Sequence, residues 1–404
     1  MSTGASFPAF VSDSTVVTHR DARKAPVPWY IWTGVIAVTS SMIGGAWDVS
    51  WHRSIGRDSF WTPAHLMIQA CGVLAAVIGS YLVVTATFGK SEKALALRAA
   101  SVNIFGLYAP LGVFLAAWGG IAMLTSAPFD NWWHNAYGLD VKIVSPPHAL
   151  LILGIRGVGM GVLFLILAAM NRAQAVGEAS YKTLQMMMLY IGGLFVEGNM
   201  FFIQEYTWDV VLHQASAYIA LAIAVPMALA LYSQASRFRW AATTTAGIYT
   251  LLIIADILIL PLFPATPKLG PVFNPVTHLV PPKFPVLILV PAIALDLFWD
   301  RVKGWKLWQI AVVSGVIFVA LVTVVEWNFA KFLMTKASEN RFFGTMYFDY
   351  NAPPPPFGID RARIFWHPDY GRPLALGLTI ATVCAMLSSW VGLAFGRWMR
   401  GVKR

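Results

Sequence analysis

Apolar runs of about 20 residues recur along the whole chain, separated by short polar connections. A run of that length spans the hydrocarbon of a bilayer as a helix and has no purpose in a soluble domain. The pattern predicts ten spans, at residues 28–47, 63–88, 101–125, 146–171, 183–205, 209–233, 241–263, 281–299, 306–328 and 372–396. The expected fold is therefore an all-α, polytopic integral membrane helical bundle. Composition agrees: 57% of the 404 residues are hydrophobic and 12% charged, against about 25% charged in soluble proteins.

The formal net charge of +10 changes the picture only through its placement. "HRDARK" before the first run, then Lys90, Lys93, Arg98, Arg172, Lys182, Arg237, Arg239, Arg301, Lys303, Lys306 and the tail "RWMRGVKR", all fall in alternate connections. That is the bias of cytoplasmic loops, so both termini are expected in the cytoplasm. The excess charge is a topology signal and not a nucleic-acid footprint. Residues 1–27 read as a polar cytoplasmic tail without a cleavable signal. Cys71 and Cys384 both fall inside runs, which leaves no cysteine metal motif and no disulfide. Any metal here must be held by nitrogen and oxygen.

Candidate chemistry lies in the connections on the opposite side. In "DVSWHRSIGRDSFWTPAH", Asp48 and His52 are four residues apart at the end of a run, and so share a helix face. His65 follows just after "TP", where Pro63 suits the first turn of a returning helix. "DNWWHNAYGLDVKIVSPPH" repeats the arrangement with Asp130, His134 and His148, its histidine interval one residue longer. A chance match to one such pattern is expected on the order of 0.01 times per chain of this composition, and two in equivalent positions far less often. Each helical hairpin is therefore predicted to gather one carboxylate and two imidazoles. The plainer reading makes these residues hydrated helix ends beside an aromatic belt of Trp47, Trp51, Trp61, Trp132 and Trp133. Two imidazoles and a carboxylate suit copper, iron or zinc, and spacing does not choose among them. A weaker echo, "WDVVLH", sets Asp209 and His213 four apart with no third ligand at the hairpin distance.

Four acids, Glu197, Asp256, Asp296 and Glu326, lie within or near the ends of apolar runs. A charged carboxylate at mid-bilayer costs about 3 kcal/mol on the insertion scale, so such groups pair or line a hydrated site. Arg156 is an available partner. Asp256, in "LLIIADILILPLFP", is the preferred functional candidate, as a proton relay. The plainer reading for each is a structural ion pair or a helix-end carboxylate.

The two Asp/His/His stretches, with their unequal spacings and the "RD" and "TP.H" elements, resemble the C subunit of the copper membrane monooxygenases, the family of particulate methane and ammonia monooxygenases. The resemblance implies copper, one or two ions, at Asp48, His52 and His65 and separately at Asp130, His134 and His148, with Asp48, His52, His65 and Asp256 as catalytic candidates. Relatives commonly carry Asn where Asp130 stands, so a negative charge is added to the second site. From about residue 183 onward, "YTWDVVLHQ", "FNPVTHLVPPKFPVLILVPAIALD" and "FGRWMR" are similar, more diffusely, to the family's A subunit. The chain is then a C-like domain at about 28–175 joined through "NRAQAVGEASYKT" to an A-like domain at 183–404. No stretch carries the strands and ligands of a periplasmic cupredoxin, so a B-like subunit is expected as a separate chain. The same resemblance implies a multi-pass protein of the bacterial inner membrane, quinol as electron donor and a homo-oligomer, a trimer of protomers.

The expected function is oxygen-atom insertion from dioxygen into a small apolar substrate such as methane, ammonia or a short hydrocarbon. The competing function is non-enzymatic copper or zinc binding for uptake, storage or assembly. A heme oxidase fits less well, because axial heme histidines lie within spans and these lie at span ends. The polar segment at about 331–371, with "NAPPPP" and "IFWHPDYGRP", is expected either to dock a partner or to pack over the helix ends. His278 and His367 read as loop residues.

Overall fold

The computed structural model describes residues 26–56, 61–138, 145–206, 212–267, 276–347 and 368–403. Asp209, His367 and the proline run at 353–356 lie outside the described residues. Eleven helices make up most of the described chain: α1 (Trp29–Ser54), α2 (Pro63–Phe88), α3 (Glu92–Ala99), α4 (Leu111–Tyr137), α5 (Pro146–Val176), α6 (Ser180–Tyr206), α7 (Ala215–Ser236), α8 (Ala241–Ile259), α9 (Leu289–Arg301), α10 (Leu307–Leu333) and α11 (Gly371–Met399). Between α3 and α4, β1 (Val102–Ile104) and β2 (Leu107–Ala109) form one small antiparallel hairpin. The all-α bundle is as expected.

Eight of these helices, rather than ten, are long and apolar enough to cross a membrane: α2, α4, α5, α6, α7, α8, α10 and α11. α1 has the length, at 26 residues, but its serines, its glycines and the Asp48–Arg53 end make it more polar than most of the spanning helices. The predicted span at 101–125 is displaced, because residues 102–109 form the β-hairpin and the helix runs from Leu111 to Tyr137. That displacement carries Asp130 and His134 onto the last two turns of α4. The predicted span at 209–233 begins as a helix only at Ala215.

The predicted span at 281–299 departs most, since only its second part is helical, as the 13-residue α9. The segment before it has no regular secondary structure, and backbone without a helix must find partners when water is scarce. Ser54 Oγ accepts from Val280 N at 2.7 Å, and Ser50 Oγ donates to Val280 O at 2.7 Å. Tyr249 Oη accepts from Val286 N at 3.1 Å, and Glu326 accepts from Leu287 N. Buried side chains of α1, α8 and α10 thus do for this segment what a helix does for itself.

Tight helix contacts come from small residues. A Cβ added at Gly119 of α4 would lie 2.4 Å from Val158 N of α5, and one at Gly161 of α5 would lie 2.4 Å from Gly112 O of α4. Backbones in such contact are the usual basis of helix pairing in lipid, where apolar side chains gain nothing by leaving one another. One buried core gathers residues of α1, α2, α4, α5 and α6 with the ends of α7, α8 and α11, and a second gathers residues of α6 to α11. α6 belongs to both, and the C-terminal tail docks back on α5, where Asn171 Nδ2 donates to Met399 O and Val402 O.

Candidate metal centre

Each hairpin is built by the same local device. Thr62 caps the start of α2 and its Oγ1 accepts from His65 N at 3.2 Å; Ser145 caps α5 and its Oγ accepts from His148 N at 3.4 Å. Pro63 and Pro146 occupy the first helical position behind these caps, where a missing N–H costs nothing. The cap bond therefore fixes the turn on which the third ligand rides. Asp48 and His52 at the end of α1, and Asp130 and His134 at the end of α4, supply the other two.

In the first triad, Asp48 Oδ1 lies 3.0 Å from His65 Nε2 and 3.7 Å from His52 Nε2. One carboxylate oxygen serves both rings. Among the described residues this is the only group of three or more such side chains whose ligand atoms lie within 4.8 Å of one another. In the second triad the rings take different oxygens: His134 Nε2 is 3.4 Å from Asp130 Oδ2, and His148 Nε2 is 3.5 Å from Asp130 Oδ1. The second set is more open.

Asp48 Oδ1 and Asp130 Oδ1 are both buried and neither takes an aligned hydrogen bond, although imidazole nitrogens stand within reach. His134 Nδ1 lies 3.3 Å from Gly138 O, and a carbonyl only accepts, so Nδ1 carries the proton of the neutral ring. Its Nε2 then presents a lone pair to Asp130 Oδ2. Two acceptors at 3.4 Å require a positive charge between them, either a proton or a metal ion. The carbonyl behind the ring is the outer partner that a metal-binding histidine usually has. The donor set fits copper, zinc or iron and is indifferent among them.

The two triads adjoin. A cavity of about 20 Å³ is lined by His65 of the first and by Asp130 and His148 of the second, with Ile68, Gln69, Ser126 and Leu151. That is room for about one water-sized molecule. Gln69 Oε1 is buried there without a hydrogen-bond partner. Sequence reasoning passed over Gln69, yet the signal was present: it sits four residues after His65, on the same face of α2. Ser126 stands in the same relation before Asp130, and its hydroxyl donates to Met123 O at 2.6 Å.

The remaining candidates are placed elsewhere. Asp256 is half-buried on α8 and does not belong to the cluster of Asp48, His52 and His65. Its electrostatic neighbour is Glu197, which is 2% exposed and has Oε2 without a partner. Asp296 and Glu326 have structural employment: Asp296 accepts from Ala242 N and Thr243 N at the start of α8, and Glu326 accepts from Leu287 N of the segment before α9. Arg156 pairs with none of the four acids. Its Nη2 donates to Asn199 Oδ1 at 2.8 Å, and its guanidinium lies over the Phe195 and Phe202 rings. His213 is tied by Nε2 to Trp327 O at 3.2 Å, and burial lowers its pKa below the usual histidine value. His278 is bonded to Thr277.

The aromatic belt is divided. Trp61 and Trp132 are exposed, as a belt requires, but Trp47 and Trp51 pack against Ile55, Leu260, Ala265 and Leu279. Within the long segment, residues 331–347 close over the helix ends through Phe342 and Phe343, which pack in tilted and edge-to-face contacts against Phe284, Phe329 and Phe332. Fold and site together define a multi-pass helical membrane protein with a cluster of acid and imidazole ligands at one end of the bundle. Comparisons with protein-family models, characterised proteins and solved structures return no match for the chain.

Proposed function

We propose that this chain is a subunit of a copper-dependent membrane monooxygenase, inserting one oxygen atom of dioxygen into a small apolar substrate. The observation that carries the reading is the pair of equivalent hairpins, each setting one carboxylate between two imidazoles, on either side of one small cavity. Overall, one oxygen atom enters a C–H or N–H bond and the other leaves as water, with two electrons and two protons drawn from a quinol. Copper bound at the triads would supply the one-electron redox chemistry and the affinity for dioxygen. Asp48 and Asp130 lower the charge of the bound cation, and the caps and Gly138 hold the rings to their tautomers and angles. Ile68 and Leu151 give the cavity an apolar wall against which a small hydrocarbon loses no solvation. Quinol and hydrocarbon both dissolve in the bilayer that surrounds the site.

Asp256 is assigned to proton supply, with its carboxyl oxygens passing protons on from Glu197. The expected outcome for Asp256→Asn is normal assembly and metal content with turnover reduced about 100-fold, of the size general acid–base groups contribute. Unchanged turnover would reduce Asp256 to a structural residue. The reading as a whole is tested by oxygen uptake of copper-loaded protein in lipid, given a quinol and a short alkane. Uptake that requires both is expected. Full metal content without uptake would turn the assignment to metal storage or transfer.

A further inference from the structure

At the end of the bundle opposite the triads, three arginines stand together where α7 and α11 finish. The two helices run side by side with their backbones in contact: a Cβ added at Gly396 would lie 2.5 Å from Leu231 O, and one at Gly392 would meet Met227 O. Arg237 closes α7 and Arg400 closes α11. Arg400 bonds across the seam, Nε donating to Gln234 O at 2.6 Å and Nη2 to Gln234 Oε1 at 3.1 Å. Arg397 lies one turn earlier on α11 and so beside Arg400. The tail after α11 is held by Asn171, which places this end about 35 Å along α5 from His148.

A cation at a helix C-terminus stabilises it by itself, and Arg400 is used in that way. Arg237 and Arg397 are not: both are exposed, and among the described residues neither side chain makes a hydrogen bond or an ion pair. The carboxylate of Asp300 is taken by Arg239 and Lys303 instead. Arg237 also stands at φ +57°, a left-handed helix end that glycine fills without strain. The chain carries a guanidinium where glycine would suit the backbone better. Burial, and after it the like charges of Arg237 and Arg397, hold Arg400 below the usual arginine range. Positive charge is gathered here with nothing described to balance it.

The surroundings of the arginines select the anion. Trp398 is 56% exposed and stacks on Phe395 with ring centroids 5.3 Å apart. Leu387, Trp390 and Val391 are exposed on the same helix, and α11 is the least buried of the eight spanning helices. Leu387, Val391 and Trp398 recur at helical spacing, so an apolar stripe about 16 Å long leads up to the cations. A soluble anion has no use for that stripe, whereas an acyl chain lies along it and leaves its head beside the tryptophan.

We infer that the shared end of α7 and α11 binds an anionic phospholipid, its phosphate among Arg237, Arg397 and Arg400 and an acyl chain along Leu387, Val391 and Trp398. Guanidinium forks match phosphate oxygens in pairs, and a basic pocket between spanning helices is a general form of anionic-lipid site. A lipid held there balances the three cations and ties α11 to α7 where the tail turns back onto α5. None of this depends on the oxygenase reading above.

The test is native mass spectrometry of the full chain released from nanodiscs of phosphatidylcholine and phosphatidylglycerol with matched acyl chains. The wild type is expected to retain phosphatidylglycerol in preference to phosphatidylcholine. Arg237→Gln combined with Arg397→Gln should cut that preference about 25-fold, about fivefold for each cation removed from beside the phosphate. Metal content should stay unchanged, because the triads lie at the other end of the bundle. Arg397→Gln alone should cut the preference about fivefold, which serves if the double variant does not assemble. Arg239→Gln, whose side chain is paired with Asp300, should leave it as it was. Equal retention of the two lipids by the wild type would overturn the proposal. So would an equal loss in Arg239→Gln, which makes the preference one of diffuse surface charge. Displacement of phosphatidylglycerol by millimolar inorganic phosphate would make the ligand a soluble anion and sink the lipid assignment. If the double variant alters the number of copies per particle and keeps the lipid preference, the arginines serve an interface between copies and the proposal fails.

Discussion

The two metal hairpins use one plan with different closure. In the first, a single carboxylate oxygen of Asp48 faces both imidazoles, and the three ligand atoms lie within 4.8 Å of one another. In the second, Asp130 divides its oxygens between His134 and His148, and the set is looser. The difference follows from the geometry of the return. The second interval is one residue longer, and His134 is held back by its bond to Gly138 O, a restraint for which His52 has no described counterpart. A tight site made by convergence and an open site made by outer-shell anchoring should respond differently to the same kind of change.

The largest contrast is expected from the carboxylates. Asp48→Ala removes the one oxygen on which both rings converge, and should abolish about one metal equivalent per chain, exceeding the 10–100-fold typical of losing an outer partner. Asp130→Ala should release the other equivalent and leave the first site's spectroscopic signal in place, which elemental analysis with electron paramagnetic resonance would show. Loss of both equivalents in either variant would mean that the adjoining triads form one inseparable centre.

A smaller effect is expected at Gly138, whose φ is +88°, in the left-handed half of conformational space that side chains disfavour by about 1–2 kcal/mol. Gly138→Ala should shift the carbonyl that anchors His134 and weaken the second site alone by about tenfold. Equal weakening of both sites would show that the anchor is not specific to one ring. The caps should be the mildest and the most symmetrical. Thr62→Ala and Ser145→Ala each remove a bond worth about 1 kcal/mol, and each should weaken its own site by about fivefold in metal titration. A cap change that weakens only the opposite site would contradict the hairpin plan.

Much of this was legible in the sequence, for identifiable reasons. Apolar length and basic placement are coarse signals that the bilayer imposes on any helical protein, so the bundle could be read. Both triads could be read because a helix end, a Ser/Thr-Pro cap and a histidine three residues past the cap are local features. The irregular segment at 279–288 could not, because an apolar run with prolines reads as a span, and its partners Ser54, Tyr249 and Glu326 lie on other helices. The same blindness hid the employment of Asp296 and Glu326, whose acceptors' roles depend on backbone N–H groups far away in sequence. It also hid the displacement of α4, since the 102–109 hairpin turns at Phe105 and Gly106, both at positive φ, inside a run that hydropathy alone treats as continuous. The adjacency of the triads, with Gln69 between them, emerges only from the packing of α2 against α4 and α5.

The most direct measurement is the copper content and paramagnetic spectrum of the unmodified protein, purified from membranes without chelator. Two ions per chain, each with hyperfine splitting from two imidazole nitrogens, is the result expected of a carboxylate and two rings closing on each cation. Protein that retains less than a tenth of an equivalent after copper loading, or whose copper shows no nitrogen coupling, would contradict it.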